Sequence, residues 1–213
     1  MRKHKTWIII TSLITLLPML AGVLLWDRLP EQMPTHWNVA GEIDGWSSRS
    51  FAVFGLPALL LGVHLLCVFA TLSDPKNQDN NVKYFRLVLW ISPVVSVLVN
   101  GLVYCAALGL EFSMEQIMPI FIGALFIVLG NWMPKLKQNY TIGIKVPWVY
   151  YDEEIWNKTH RLGGKLWVAT GVVILIAGLF NWFWAMLIAL IPAAVVPIVY
   201  SYWLYQKKYG KKQ

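Results

Sequence analysis

Six long apolar stretches run through this chain, and nearly all of its positive charge lies in alternate segments between them. Apolar runs of roughly 20 residues match the helix length needed to cross a hydrocarbon core about 30 Å thick. The spans are read at about 7–26, 51–72, 87–110, 117–133, 166–180 and 183–205. Of the 18 Lys and Arg residues, 16 fall on one predicted side: Arg2, Lys3, Lys5, Lys76, Lys83, Arg86, Lys135, Lys137, Lys145, Lys158, Arg161, Lys165, Lys207, Lys208, Lys211 and Lys212. Only Arg28 and Arg49 fall on the other. Such a bias places the basic side in the cytoplasm and predicts six helices with both termini inside. It makes 27–50 the main external segment and 131–165 the main cytoplasmic one.

A chain of 213 residues that is 57% hydrophobic and 14% charged is not an ordinary soluble domain. The spans use most of its length, so 1–213 reads as one all-α polytopic membrane domain. The net charge of +7 does not point to nucleic acid. The basic residues sit beside span ends, where they meet anionic headgroups of membrane lipid, and no direct nucleic-acid contact is expected. The apolar run after Met1–Lys5 is too long for a signal peptide and lacks a clear cleavage site, so it reads as an uncleaved first span. Cys67 and Cys105 fall near opposite membrane faces and are read as small packing residues without a mutual disulfide.

Within the spans, Gly55 and Gly62, and separately Gly164, Gly171 and Gly178, recur at seven-residue spacing that lets helix backbones approach. Pro18, Pro93, Pro192 and Pro197 are read as kinks. Most of the Trp residues mark span ends. His64 and Asn100 are the main polar side chains at membrane depth, at heights that differ by roughly 10 Å. That separation argues for bonds to other helices rather than to each other. No Asp, Glu, Lys or Arg lies mid-span, which argues against an ion-coupled relay.

The external segment is dense in turn formers. Residues around His36-Trp37-Asn38-Val39 and Ile43 to Trp46 alternate as a small hairpin or compact loop, and Asp44-Gly45 is a strong turn signal. His36, Trp37, Asn38, Glu42, Asp44 and Trp46 are the candidate ligand-binding side chains. Three readings stand side by side: ordered structure, recognition of a peptide, and a metal site built from His36, Glu42 and Asp44.

In the cytoplasmic segment, Pro134 ends the fourth span and Pro147 biases Val146 to extended backbone. Asp152 is the expected N-cap of a short amphipathic helix, with Glu153 and Glu154 in its first turn. Glu154 can pair with Lys158, and Trp156 with His160, each four apart. Gly163-Gly164 is expected to break this helix before the fifth span. Asn139, Tyr140, Lys145, Trp148, Trp156, Lys158, His160 and Arg161 are the partner-binding candidates. Anchoring, partner binding and catalysis are the readings; no nucleophile motif supports the last, and no cofactor or catalytic set is expected.

Both segments resemble the SdpI family of bacterial membrane proteins. The external run Leu29-Pro30, Pro34-Thr35-His36-Trp37-Asn38, Gly41-Glu42 and Asp44-Gly45-Trp46 is similar to that family's N-terminal domain. The inner run is similar to it as well: Gly130-Asn131, Met133-Pro134-Lys135, Asn139-Tyr140, Ile142-Gly143-Ile144, Pro147-Trp148, Trp156, Lys158-Thr159-His160-Arg161 and Gly163-Gly164-Lys165. The resemblance implies immunity to a secreted antimicrobial peptide toxin of the SdpC type. It also implies signalling by membrane sequestration of a transcriptional repressor of the SdpR type. A metal-dependent membrane enzyme and a small-solute transporter are the alternatives.

Overall fold

The structure is a computed structural model that describes residues 4–77 and 84–210. Among the basic residues above, Arg2, Lys3, Lys83, Lys211 and Lys212 lie outside them. In chain order the elements are α1 (Lys5–Leu24), β1 (Gln32–Trp37), β2 (Ile43–Ser48), α2 (Leu56–Leu72) and α3 (Phe85–Ala107). There follow α4 (Met114–Trp132), α5 (Pro147–Tyr150), α6 (Glu153–Leu179) and α7 (Phe183–Tyr209). Six of these helices are long and apolar enough to cross a membrane, the second with a π-helical turn at Phe51–Gly55 as its first part. The expected all-α membrane architecture is therefore present. Among the described residues, its one sheet is the β1–β2 hairpin.

The chain forms two compact units, one holding α1, the hairpin, α2 and α3, the other holding α4 to α7. In the first, Ala52, Val53, Val103 and Tyr104 make a buried cluster that the hairpin segment enters through Leu29 and Met33. A second cluster of Val68, Phe85 and Leu89 joins α2 to α3. Between them runs a polar stripe. Ser92, Ser96, Asn100 and Tyr104 recur every four residues on α3, hence on one face, and all are buried. Ser96 Oγ donates to Thr15 O at 2.7 Å and Tyr104 OH donates to Pro18 O at 2.9 Å, so α3 bonds the α1 backbone beside its proline. His64 Nε2 meets Thr11 Oγ1 at 3.0 Å, while Asn100 Nδ2 donates to Ser96 O at 2.8 Å. The two membrane-depth residues do not meet: His64 makes the expected bond to another helix, whereas the Asn100 amide bonds within α3.

In the second unit, close approach of α4 and α6 decides the packing. A Cβ added at Gly171 would lie 2.6 Å from Gly123 O, and one at Gly164 would lie 2.6 Å from Gly130 O. The seven-residue glycine face expected on α6 therefore meets a second one, Gly123 and Gly130, on α4. Gly178 completes it against Pro119. Gly62 behaves otherwise: nothing lies within 4 Å of its added Cβ, so it makes no helix contact of this kind.

Two expectations need correction. Gly163-Gly164 does not break a helix, because α6 runs unbroken from Glu153 to Leu179. These glycines are instead crowded: a Cβ added at Gly163 would lie 2.8 Å from Ile144 Cδ1 and 2.9 Å from Met133 Sδ, so small size rather than flexibility is what the site demands. The anticipated short surface helix is accordingly the first turns of α6 itself. Asp44-Gly45 is not the hairpin turn either: Gly45 sits inside β2 opposite His36, and the chain reverses at 38–42.

Replacing Gly171 with Ala should destabilise the protein by about 1–3 kcal/mol, because the methyl must displace backbone. Gly62→Ala should leave stability unchanged or raise it by up to about 1 kcal/mol through helix propensity. Thermal unfolding of both variants in one detergent checks the pair; equal behaviour would refute the account of the α4–α6 contact.

Candidate functional site

The β1–β2 hairpin is held from below and open above. Asn38 Oδ1 accepts from Ala40 N at 2.9 Å and Glu42 N at 3.0 Å, closing the turn, and Gly41 supplies its positive φ of 77°. Arg49 anchors the base: its Nη1 donates to Trp26 O at 2.7 Å and Leu29 O at 2.9 Å, with the guanidinium over the Trp26 ring. Met33 is fully buried beneath, and Trp37 packs against the same cluster. On the open side, His36 Nδ1 lies 2.5 Å from Asp44 Oδ1. The register shifts on either side of His36, and a Cβ at Gly45 would lie 2.6 Å from His36 Cβ. Glycine is thus what allows the imidazole to lie across β2.

His36, Asp44 and Trp46 are exposed together, whereas Glu42 is bonded to Asn38 Nδ2 at 2.9 Å. The three donors of the suggested metal site are therefore split between two separate bonds. Among the described residues, no group of three His, Cys, Asp or Glu side chains is placed to hold a metal ion.

The 133–152 loop is built the opposite way, around a buried interior. Asn139 is fully buried, its Oδ1 accepting from Thr141 N at 2.9 Å and Ile142 N at 2.7 Å, and its Nδ2 donating to Lys137 O. Trp156 is also fully buried and donates from Nε1 to Leu136 O at 2.8 Å. It stacks on His160, with ring centroids 4.0 Å apart. His160 bridges two backbone groups: Nδ1 meets Trp156 O at 2.8 Å, and Nε2 accepts from Ile144 N at 2.9 Å. Those partners assign the hydrogen to Nδ1. Gly143, with φ of 123°, passes so close to the imidazole that a Cβ there would collide with Nε2.

A strap from beyond α2 closes this interior. Asp74 Oδ2 accepts from Tyr140 N at 2.7 Å and Thr141 Oγ1 at 2.6 Å, and Oδ1 accepts from Lys76 N. Lys76 Nζ reaches Gln138 Oε1 at 2.9 Å and lies over the Tyr140 ring. Burial, reinforced by the nearby Asp74 and Tyr140 charges, pushes the Tyr150 hydroxyl above its ordinary range.

At the start of α6, Asp152 caps as expected, accepting from Glu154 N and Ile155 N. Its other oxygen takes Tyr209 OH and Lys208 Nζ, each at 2.7 Å, so the end of α7 is tied to the start of α6. Burial raises the Asp152 carboxyl, but the bonds from Lys208, Tyr209 and the backbone outweigh it and hold the group at about 2. Glu154 pairs with Lys158 at 2.6 Å as predicted, and also with Lys208.

Residues 135–201, from the loop through most of α7, match the SdpI/YfhL protein family. Residues 13–61 match a domain of unknown function, which here spans the end of α1, the hairpin and the start of α2. The whole chain is similar to Immunity protein SdpI of Bacillus subtilis, strain 168, at 27% identity over 213 residues, covering 96% of this chain and 98% of that protein. The chain is thus similar to the SdpI/YfhL family over residues 135–201, and to Immunity protein SdpI along nearly its whole length. It is a multi-pass bacterial membrane protein, and no solved structure matches it.

The family segment contains all eight inner candidates, and the fold sorts them. Asn139, Trp156 and His160 face inward and shape the loop. Tyr140, Lys145, Lys158 and Arg161 stand at the surface, and half-buried Trp148 donates to Ser201 Oγ at 2.8 Å. Sequence reasoning missed Arg49, Asp74, Gln138 and the Lys208–Tyr209 pair. Arg49 and Asp74 had a signal: each is a charged residue directly beside the end of a span.

Because Asp152 ionises well below the ordinary carboxylate value, its bonds stabilise the fold above about pH 4, and this contribution falls away as pH drops from about 4 towards 2. Asp152→Asn, which keeps a cap but not the charge, should flatten thermal stability over that window while leaving the helix intact by circular dichroism. Gly143→Ala should cost more than 1 kcal/mol at neutral pH, since it meets both the positive φ and the His160 ring.

Proposed function

We propose that this protein is an immunity protein that protects its cell from a secreted antimicrobial peptide of the SdpC type. It relays the toxin's presence by holding a repressor of the SdpR type at the membrane. The reading is carried by similarity to Immunity protein SdpI along nearly the full length of both chains. The charge bias places the hairpin outside and the 133–152 loop inside. Toxin binding then falls to the exposed His36, Asp44 and Trp46, with Trp37, Asn38 and Glu42 holding the hairpin in shape. Repressor capture falls to Tyr140, Lys145, Lys158 and Arg161, around the core made by Asn139, Trp156 and His160, with Trp148 beside it. A bound toxin can alter the inner surface only if it binds two states of the protein with different affinity.

Survival of a toxin-sensitive strain that expresses the chain, challenged with purified SdpC peptide, tests the proposal. Wild type should protect, and Trp46→Ala should weaken protection at equal membrane levels. Arg161→Glu should reduce recovery of the repressor with membranes far more than it reduces survival. Sensitivity of the wild-type strain would overturn immunity to this toxin, and parallel loss of both outputs in Arg161→Glu would overturn the division of labour.

A further inference from the structure

The exposed corner of the hairpin is more ordered than a passive surface requires. The His36 side chain is 71% exposed, yet it is set against Asp44 by a 2.5 Å contact and a glycine that makes room for it. An exposed pair of this kind contributes little stability by itself, so its arrangement points outward. Only Asp44 Oδ1 faces the imidazole, which leaves Oδ2 to other donors. Two residues on, Trp46 is 57% exposed. Acidic residues outnumber basic ones in the 27–50 segment, with Asp27, Glu31, Glu42 and Asp44 against Arg28 and Arg49. Arg49 is already committed to two carbonyls and the Trp26 ring. A chain of net charge +7 therefore presents a negative, aromatic face here.

We infer that this corner receives a cationic side chain, the ammonium or guanidinium of a Lys or Arg in a peptide ligand, between the Trp46 ring and the Asp44 carboxylate. The ring face attracts a cation through its quadrupole, and the carboxylate adds direct charge and a hydrogen-bond acceptor. His36 is a positioning residue, which orients the carboxylate through Oδ1. This rests on the reading of the hairpin as the toxin-facing surface and names the chemistry of the ligand.

The full chain in phosphatidylcholine nanodiscs, with empty nanodiscs as baseline, can be titrated with a short fluorescent peptide rich in Lys and Leu. A twin peptide carries Gln for each Lys. Wild type should favour the lysine peptide by about three- to tenfold, the size of one cation–π contact plus one exposed ion pair. Trp46→Ala and Asp44→Asn should each bring the ratio close to one, while Trp46→Phe should keep most of it, which separates loss of the contact from loss of the fold. A wild-type ratio of one, or a ratio that survives both substitutions, overturns the inference. Survival under toxin challenge is scored separately: protection with a ratio of one refutes the cation site alone, and a normal ratio without protection refutes the immunity reading alone.

Discussion

Backbone hydrogen bonding in and beside a membrane is the constraint on which this structure depends. A peptide group without water must find its partner within the protein, so spanning segments become helices. Irregular backbone survives there only where side chains supply the missing partners. The 133–152 loop meets that demand with an unusual share of polar side chains turned inward. Asn139 answers two amides, Asp74 an amide and a hydroxyl, His160 an amide and a carbonyl, and Trp156 a carbonyl. Leaving any of these groups buried and unpaired would cost about 1–3 kcal/mol. The loop is therefore a fixed shape, and its exposed residues are presented on a rigid frame rather than on a tether.

The hairpin solves the same problem with fewer parts. Its strands pair with each other, Asn38 closes the turn, and Arg49 takes the carbonyls left where α1 ends. That economy leaves its upper face with little structural work. The aromatic and charged groups there are available for binding, in contrast with the loop, where most of the polar residues already have internal partners.

These differences explain what could be read from sequence. The six spans, the Asp152 cap, the Glu154–Lys158 pair and the Trp156–His160 face depend on local spacing, and each is where periodicity places it. The hairpin was legible as alternation, but Asp44-Gly45 misled, because a turn dipeptide and a glycine cleared for a crossing His36 look alike in one dimension. Gly163-Gly164 misled for the same reason: glycine as breaker and glycine as close contact share a letter. Only the partner surface, Met133 and Ile144 for one and Gly130 for the other, tells them apart. Asp74 acts across 66 and 67 residues of chain and Lys208 across 54, and no periodic signal spans such distances.

The hairpin is also not a detachable decoration. Its buried side, Leu29 and Met33, belongs to one cluster with Val53, Val103 and Tyr104, and Gly22 of α1 lies so close that an added Cβ would sit 2.7 Å from both Tyr104 OH and Val53. Tyr104 in turn bonds the α1 carbonyl at Pro18. Packed interiors respond to strain by switching arrangement rather than by yielding smoothly. A ligand that tilts the hairpin must therefore disturb the contact of α1, α2 and α3 at that end of the unit. Further along the same helices, His64 bonds Thr11 of α1 and Ser96 of α3 bonds the α1 backbone, so polar contacts continue the apolar packing through this unit.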